Sequence, residues 1–151
     1  APGISPDFYH TFISGKRVSI VFEKTYRLLQ QSSAALVTSG TATLETAILK
    51  VPQVVCYKMG GGKIAYNLFK HILKVKFVSL VNLIADREIV KELLVHLFTT
   101  ENVKNELDKI LNDPDKRKQM LQGYAEVAER LGNPGAPQNA AKKIVATIKS
   151  L

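Results

Sequence analysis

The chain has 151 residues, 46% of them hydrophobic, with 21 lysines and arginines against 13 acids and a formal charge of +8. That length suits one domain with a real core, and the recurrence of apolar residues along the chain excludes disorder. No apolar run approaches the roughly 20 residues of a membrane span, while one cysteine and three scattered histidines exclude an internal disulfide and a zinc cluster.

The first residues, Ala1-Pro2-Gly3-Ile4, form neither a charged region nor an apolar stretch, so no signal peptide is expected. The absence of a starting Met fits a piece of a longer protein, and equally removal of Met before Ala1. Ser5-Pro6-Asp7 opens a helix that runs to about Ile13. Val18–Phe22 is expected to be a short strand. Thr25–Gln31 reads as a helix, and Ala34–Val37 as a small buried strand. Ser39-Gly40-Thr41 is a turn, and Ala42–Lys50 a helix that Pro52 stops. Val54–Tyr57 is the next strand, with Cys56 read as its buried thiol.

Ile64–Leu73 is expected to be helical and Phe77–Leu80 a further strand. Helices follow at Val90–Phe98, Val103–Leu111, Pro114–Leu131 and Gln138–Ser150, with a break at Asn133-Pro134-Gly135. Short, continuously apolar strands alternating with helices predict an α/β fold with a parallel, Rossmann-like sheet and a helical C-terminal tail.

The stretch from Val37 to Glu45 carries the chemistry: a buried strand ends, a turn of small residues follows, and a helix begins. Open parallel sheets bind ligands at the carboxyl ends of their strands. A helix start offers free N–H groups and the positive end of the helix dipole. Gly40 admits a phosphate to the backbone, and Ser39 and Thr41 add hydroxyl donors, so the turn reads as a diphosphate cradle. Glu45, one turn on, suits a ribose diol. The plainer reading is a capped helix with a favourable acid near its start. The pattern is neither a P-loop nor the dinucleotide glycine signature.

Ser39–Glu45, Pro52–Met59 and Phe77–Leu94, in that order and spacing, together resemble the lipid A disaccharide synthase family of GT-B glycosyltransferases. The resemblance is strongest from Ala34 to Leu94. It implies two Rossmann-like domains, of which this chain is most of the C-terminal, donor-binding one. It implies transfer of a 2,3-diacylglucosaminyl group from a UDP-sugar donor to the lipid X acceptor (2,3-diacylglucosamine 1-phosphate), with no cofactor and no metal. Carried over by position, Ser39, Gly40 and Thr41 meet the diphosphate and Glu45 the ribose. Phe22 lies at the uracil, Tyr57 and Lys58 line the cleft, and Asn82 binds donor or lipid. The family's catalytic acid lies in the N-terminal domain that this chain lacks, and a Gly-Ser-Arg turn that helps to hold the donor lies in the first strand–helix of the C-terminal domain, which is lacking as well. No catalytic residue is therefore expected here, and the piece alone should be inactive with weakened UDP affinity. Residues 1–113 are expected to form the truncated donor domain, and 114–151 helices that pack on the missing one.

Charge adds a partner. Residues 51–87 hold 6 basic side chains and 1 acid, whereas residues 88–151 hold 10 and 9. Lys63, Tyr66, Phe69, Lys70, Leu73 and Lys74 recur at helical spacing. Such a basic amphipathic helix suits an anionic membrane surface, which implies a cytoplasmic protein peripheral to the inner face of the inner membrane. An ordinary surface helix has the same pattern. Gly60-Gly61-Gly62 before it is a joint. No nucleic-acid motif or extended basic groove appears. An exposed sheet edge would let the chain pair as a homodimer. Two alternatives remain open: another UDP-sugar enzyme of the same architecture (of peptidoglycan transferase or epimerase type), and a non-catalytic membrane-surface module.

Overall fold

Three short segments build the sheet: β1 (Ala35–Val37), β2 (Gln53–Tyr57) and β3 (Lys91–Leu94). They lie in the order β1-β2-β3, and both pairings are parallel. Leu36 stands opposite Val54, and Val55 opposite Glu92. The computed structural model describes residues 4–13, 15–38, 40–58, 76–132 and 135–150. Its helices are α1 (Pro6–Ile13), α2 (Thr25–Gln30), α3 (Gly40–Ile48), α4 (Leu80–Ala85), α5 (Thr100–Asn112), α6 (Pro114–Leu131) and α7 (Ala136–Lys149). A single 3-10 turn, Val95–Leu97, follows β3.

Helices α3, α4, α5 and α6 pack around the central strand β2. The core joins Ala47 of α3, Val54, Val55 and Cys56 of β2, and Val81 and Ala85 of α4. Val90, Leu93, Ile110, Met120, Tyr124 and Val127 complete it. Each fully buried Val, Leu or Met side chain there stabilises the fold by roughly 1.5–3 kcal/mol. Cys56 is buried as expected, and that burial pushes its thiol up from the ordinary value. Tyr124 donates its hydroxyl to the Val51 carbonyl at 3.2 Å and accepts from Gln53 Nε2 at 3.2 Å.

Local chemistry sets the helix ends. Thr99 caps α5 through the Asn102 N–H, and Asp113 caps α6 through Asp115 and Lys116, with Pro114 in the first turn. Each such cap is worth about 1 kcal/mol. Helix α3 ends with Lys50 at φ 58, where the Lys50 N–H reaches Ala47 and the Val51 N–H reaches Thr46. Pro52 then blocks any continuation.

Four sequence expectations are corrected. Residues 18–22 are not a strand: no partner strand pairs with them, and Val18, Val21 and Phe22 are 56%, 43% and 42% exposed. Residues 77–80 do not form a strand either, because Ser79 caps α4 by accepting from the Asn82 N–H. The expected helix over 90–98 is strand β3 followed by the 3-10 turn, because its backbone pairs with β2. Helix α3 starts at Gly40, two residues before the expected Ala42.

The C-terminal helices differ in how they pack. Helix α6 buries Met120, Gly123, Tyr124 and Val127. Helix α7 is different: every described side chain on it is exposed, including Ile144, Val145 and Ile148. The predicted helix at 64–73 lies outside the described residues.

Candidate functional site

All three strands point the same way, so Val37, Tyr57 and Leu94 end at one edge of the sheet. Helix α3 begins at that edge, two residues after β1. Helix α4 runs antiparallel to β3, since Ser79 bonds to Glu92 while Asn82 bonds to Val90. Its start therefore faces the same edge. Directly after β3, Val95 holds φ 50. That conformation is rare for a β-branched residue and costs on the order of 1–3 kcal/mol.

Of the three residues expected at the phosphate turn, Gly40 and Thr41 are described. Ser39 lies outside the described residues. Gly40 opens α3 in open space, with no atom within 4 Å of the position that a Cβ would take. Thr41 is exposed. The neighbouring Thr43 and Thr46 are spent on their own helix, donating to the carbonyls of Gly40 and Ala42. Glu45 is half-buried, and its carboxylate makes no hydrogen bond or ion pair with a described residue. It lines a cavity of about 500 Å³ whose other walls are Glu23, Lys24, Thr25, Tyr26 and Arg27.

Phe22 is not in that wall. Its ring packs edge-on against Tyr9 at 5.9 Å. Tyr57 ends β2 at 39% exposure, and the exposed Lys58 follows it. Both stand at the carboxyl edge and outside the cavity. Of the basic segment, Lys63, Tyr66, Phe69, Lys70, Leu73 and Lys74 lie outside the described residues.

Asn82 is corrected most clearly. It is fully buried. Its Nδ2 donates to Val90 O at 2.8 Å and to Glu92 Oε1 at 2.9 Å. Its Oδ1 accepts from the N–H groups of Ile89 at 2.7 Å and Val90 at 3.0 Å. An amide has two donors and two acceptor lone pairs, so nothing is left for a donor sugar or a lipid. Asn82 fastens the loop 86–90 instead.

Glu92, which sequence reasoning missed, completes this network. The buried carboxylate accepts from the N–H groups of Val78 and Ser79, from Ser79 Oγ at 2.7 Å and from Asn82. The available signal was an acid set between Val90 and the pair Leu93-Leu94. Among the described residues, no group of three or more His, Cys, Asp or Glu is arranged to hold a metal ion.

The family model described as lipid-A-disaccharide synthetase matches residues 10–146. The chain belongs to that family. A lipid-A-disaccharide synthase of Myxococcus xanthus (strain DK1622) is 39% identical over 132 residues, 87% of this chain and 34% of that protein. One from Syntrophus aciditrophicus (strain SB) is 34% identical over the same length. Another, from Solibacter usitatus (strain Ellin6076), is 34% identical over 138 residues, 91% of this chain and 36% of that protein. The chain thus spans about a third of the length of the curated relatives it matches. As a member of the lipid-A-disaccharide synthetase family it has the α/β, Rossmann-like architecture described above, and no helix among its described residues is long and apolar enough to cross a membrane.

Proposed function

We propose that this chain is the UDP-sugar-binding part of a glycosyltransferase that moves 2,3-diacylglucosamine from its UDP donor onto lipid X, forming the lipid A disaccharide and releasing UDP. The observation that carries this reading is Glu45. Its unpaired, half-buried carboxylate stands one turn into a helix that begins at the carboxyl edge of a parallel sheet, and it faces a cavity of about 500 Å³. In this reading the backbone at Ser39, Gly40 and Thr41 receives the diphosphate at the positive end of α3. Glu45 accepts both hydroxyls of the ribose. Tyr57 and Lys58 border the sugar, and Phe22 lies near the uracil. Asn82 serves the site indirectly, by holding the loop between α4 and β3.

The group that removes the acceptor's proton belongs to the rest of a longer protein, so this chain alone binds donor weakly and turns nothing over. The exposed apolar face of α7 is where that remainder would dock. The basic segment 58–76 would hold the protein on the anionic cytoplasmic face of the inner membrane, where an acylated acceptor resides. Pelleting with anionic vesicles tests this last point: reversing Lys70 and Lys74 to Glu should abolish it. The open edge of β1 gives a route to a homodimer.

The deciding test is calorimetric titration of the chain with UDP beside Glu45→Ala. Hydrogen bonds to a charged acceptor are worth about 1.5–3 kcal/mol each, so the variant should lose at least roughly tenfold in affinity. An acid that merely favours the helix start would leave binding unchanged, and that result would sink the ribose assignment.

A further inference from the structure

The residues that line this open depression together with Glu45 have no assigned role. They are the segment Glu23–Arg27, which starts with a left-handed residue, Glu23 at φ 55. We propose that Tyr26 is the stacking platform for the nucleobase and that Arg27 is the countercharge for the diphosphate. This inference rests on the donor-site reading and goes further by placing the base and the charge on residues that reading leaves unused.

Tyr26 is 60% exposed and has no hydrogen bond or ring partner among the described residues. A large ring left open inside a cavity wall is suited to a flat ligand. Phe22, the aromatic nearest in sequence, is already packed on Tyr9 and stands outside the wall. Arg27 lines the same cavity without an ion pair to a described residue. A guanidinium matches phosphate oxygens two at a time and holds its charge at any working pH.

The depression thus offers a ring face in Tyr26, carboxylates in Glu23 and Glu45 and cations in Lys24 and Arg27, and a nucleoside diphosphate carries a complement to each kind: a base, a diol and an anion. Its volume of about 500 Å³ falls in the ordinary range for small-molecule sites. Glu45 lies five residue steps along α3 from Gly40, a rise of about 7.5 Å. That spacing suits a diphosphate at the helix start and a ribose one turn further in.

Stacking is tolerant of base identity, so Tyr26 sets affinity rather than choice of base. The test titrates the intact chain with UDP, uridine and inorganic pyrophosphate, following amide shifts by NMR, for wild type, Tyr26→Ala, Tyr26→Phe, Arg27→Gln and Glu45→Ala. Tyr26→Ala should weaken UDP and uridine alike by roughly tenfold and leave pyrophosphate unchanged. Tyr26→Phe should bind as wild type. Arg27→Gln should weaken UDP and pyrophosphate and spare uridine. Tyr26 is exposed, so its variants should melt with the wild type. If Tyr26→Ala binds UDP as wild type does while Glu45→Ala loses it, the stacking proposal falls and the donor site stands. If Glu45→Ala also binds as wild type, or the wild type itself binds no UDP, the donor site is overturned in this chain and the stacking proposal with it.

Discussion

At the scale of single residues, the structure spends its most costly polar atoms on fastening rather than on ligand. Glu92 is an acid with 9% of its surface exposed, and its closest partners are N–H and O–H groups instead of a cation. A buried charge is tolerated only when it is fully hydrogen-bonded. Replacing it with Gln would turn an NH2 group toward N–H donors and leave at least one of them unmet. Unfolding free energy should fall by about 2–3 kcal/mol, read as a shift of the urea midpoint at constant slope. A shift below roughly 0.5 kcal/mol, the range of an ordinary surface change, would show that the network contributes little. Asn82 was legible in the sequence as a residue of interest. Its task was not, because the groups it binds are the main-chain atoms of residues 89 and 90, which only the fold brings to it.

At the scale of elements, close approach between α6 and the loop before β3 fixes where the last core helix sits. Gly123 has no room for a side chain: a Cβ there would lie 2.6 Å from Ile89 Cγ2 and 2.9 Å from Ile89 Cγ1. Those atoms join directly to the Ile89 Cβ and have little freedom to move. An Ala in mid-helix normally gains about 1 kcal/mol over Gly. Here Gly123→Ala should instead destabilise by about 1–3 kcal/mol, the usual cost of overpacking. Adding Ile89→Ala should recover part of that loss, so a double-mutant cycle should give a coupling above roughly 0.5 kcal/mol. Additive effects would mean that the two residues do not meet. Arg87 and Arg130 both bind Glu126 on the same helix, and the hydrogen bond from Arg87 holds that carboxyl below its usual range. The pairs are exposed and supplement the packing only weakly.

At the scale of the whole molecule, the cooperative unit is the sheet with α3, α4, α5 and α6. Segments at both ends are peripheral to it: α1 and α2 bury no residue, and α7 exposes every side chain that is described. Deleting residues 136–151 should therefore change the unfolding free energy by less than about 0.5 kcal/mol, measured by urea titration with circular dichroism. A larger loss would place α7 in the core. The apolar face of α7 stays open, with Ile144 at 60% and Ile148 at 65% exposure.

What the sequence determined by itself were the features fixed by residues a few positions apart. The capped start of α6 at Asp113-Pro114, the stop at Pro52 and the buried strand around Cys56 all follow from local backbone chemistry. The family resemblance was legible for the same reason, since it rests on short contiguous blocks. Tertiary structure alone decided the rest. The run Val90–Leu94 satisfies a helix or a strand, and only the ladder with β2 selects the strand. Residues 18–22 look like a strand and stay unpaired for want of a neighbour. Tyr26 and Arg27 gain a candidate role only because the fold sets them on one cavity with Glu45. Gln53 meets Tyr124 across 71 positions of sequence. Contacts at such separations depend on how the elements pack, and no window of neighbouring residues carries that information.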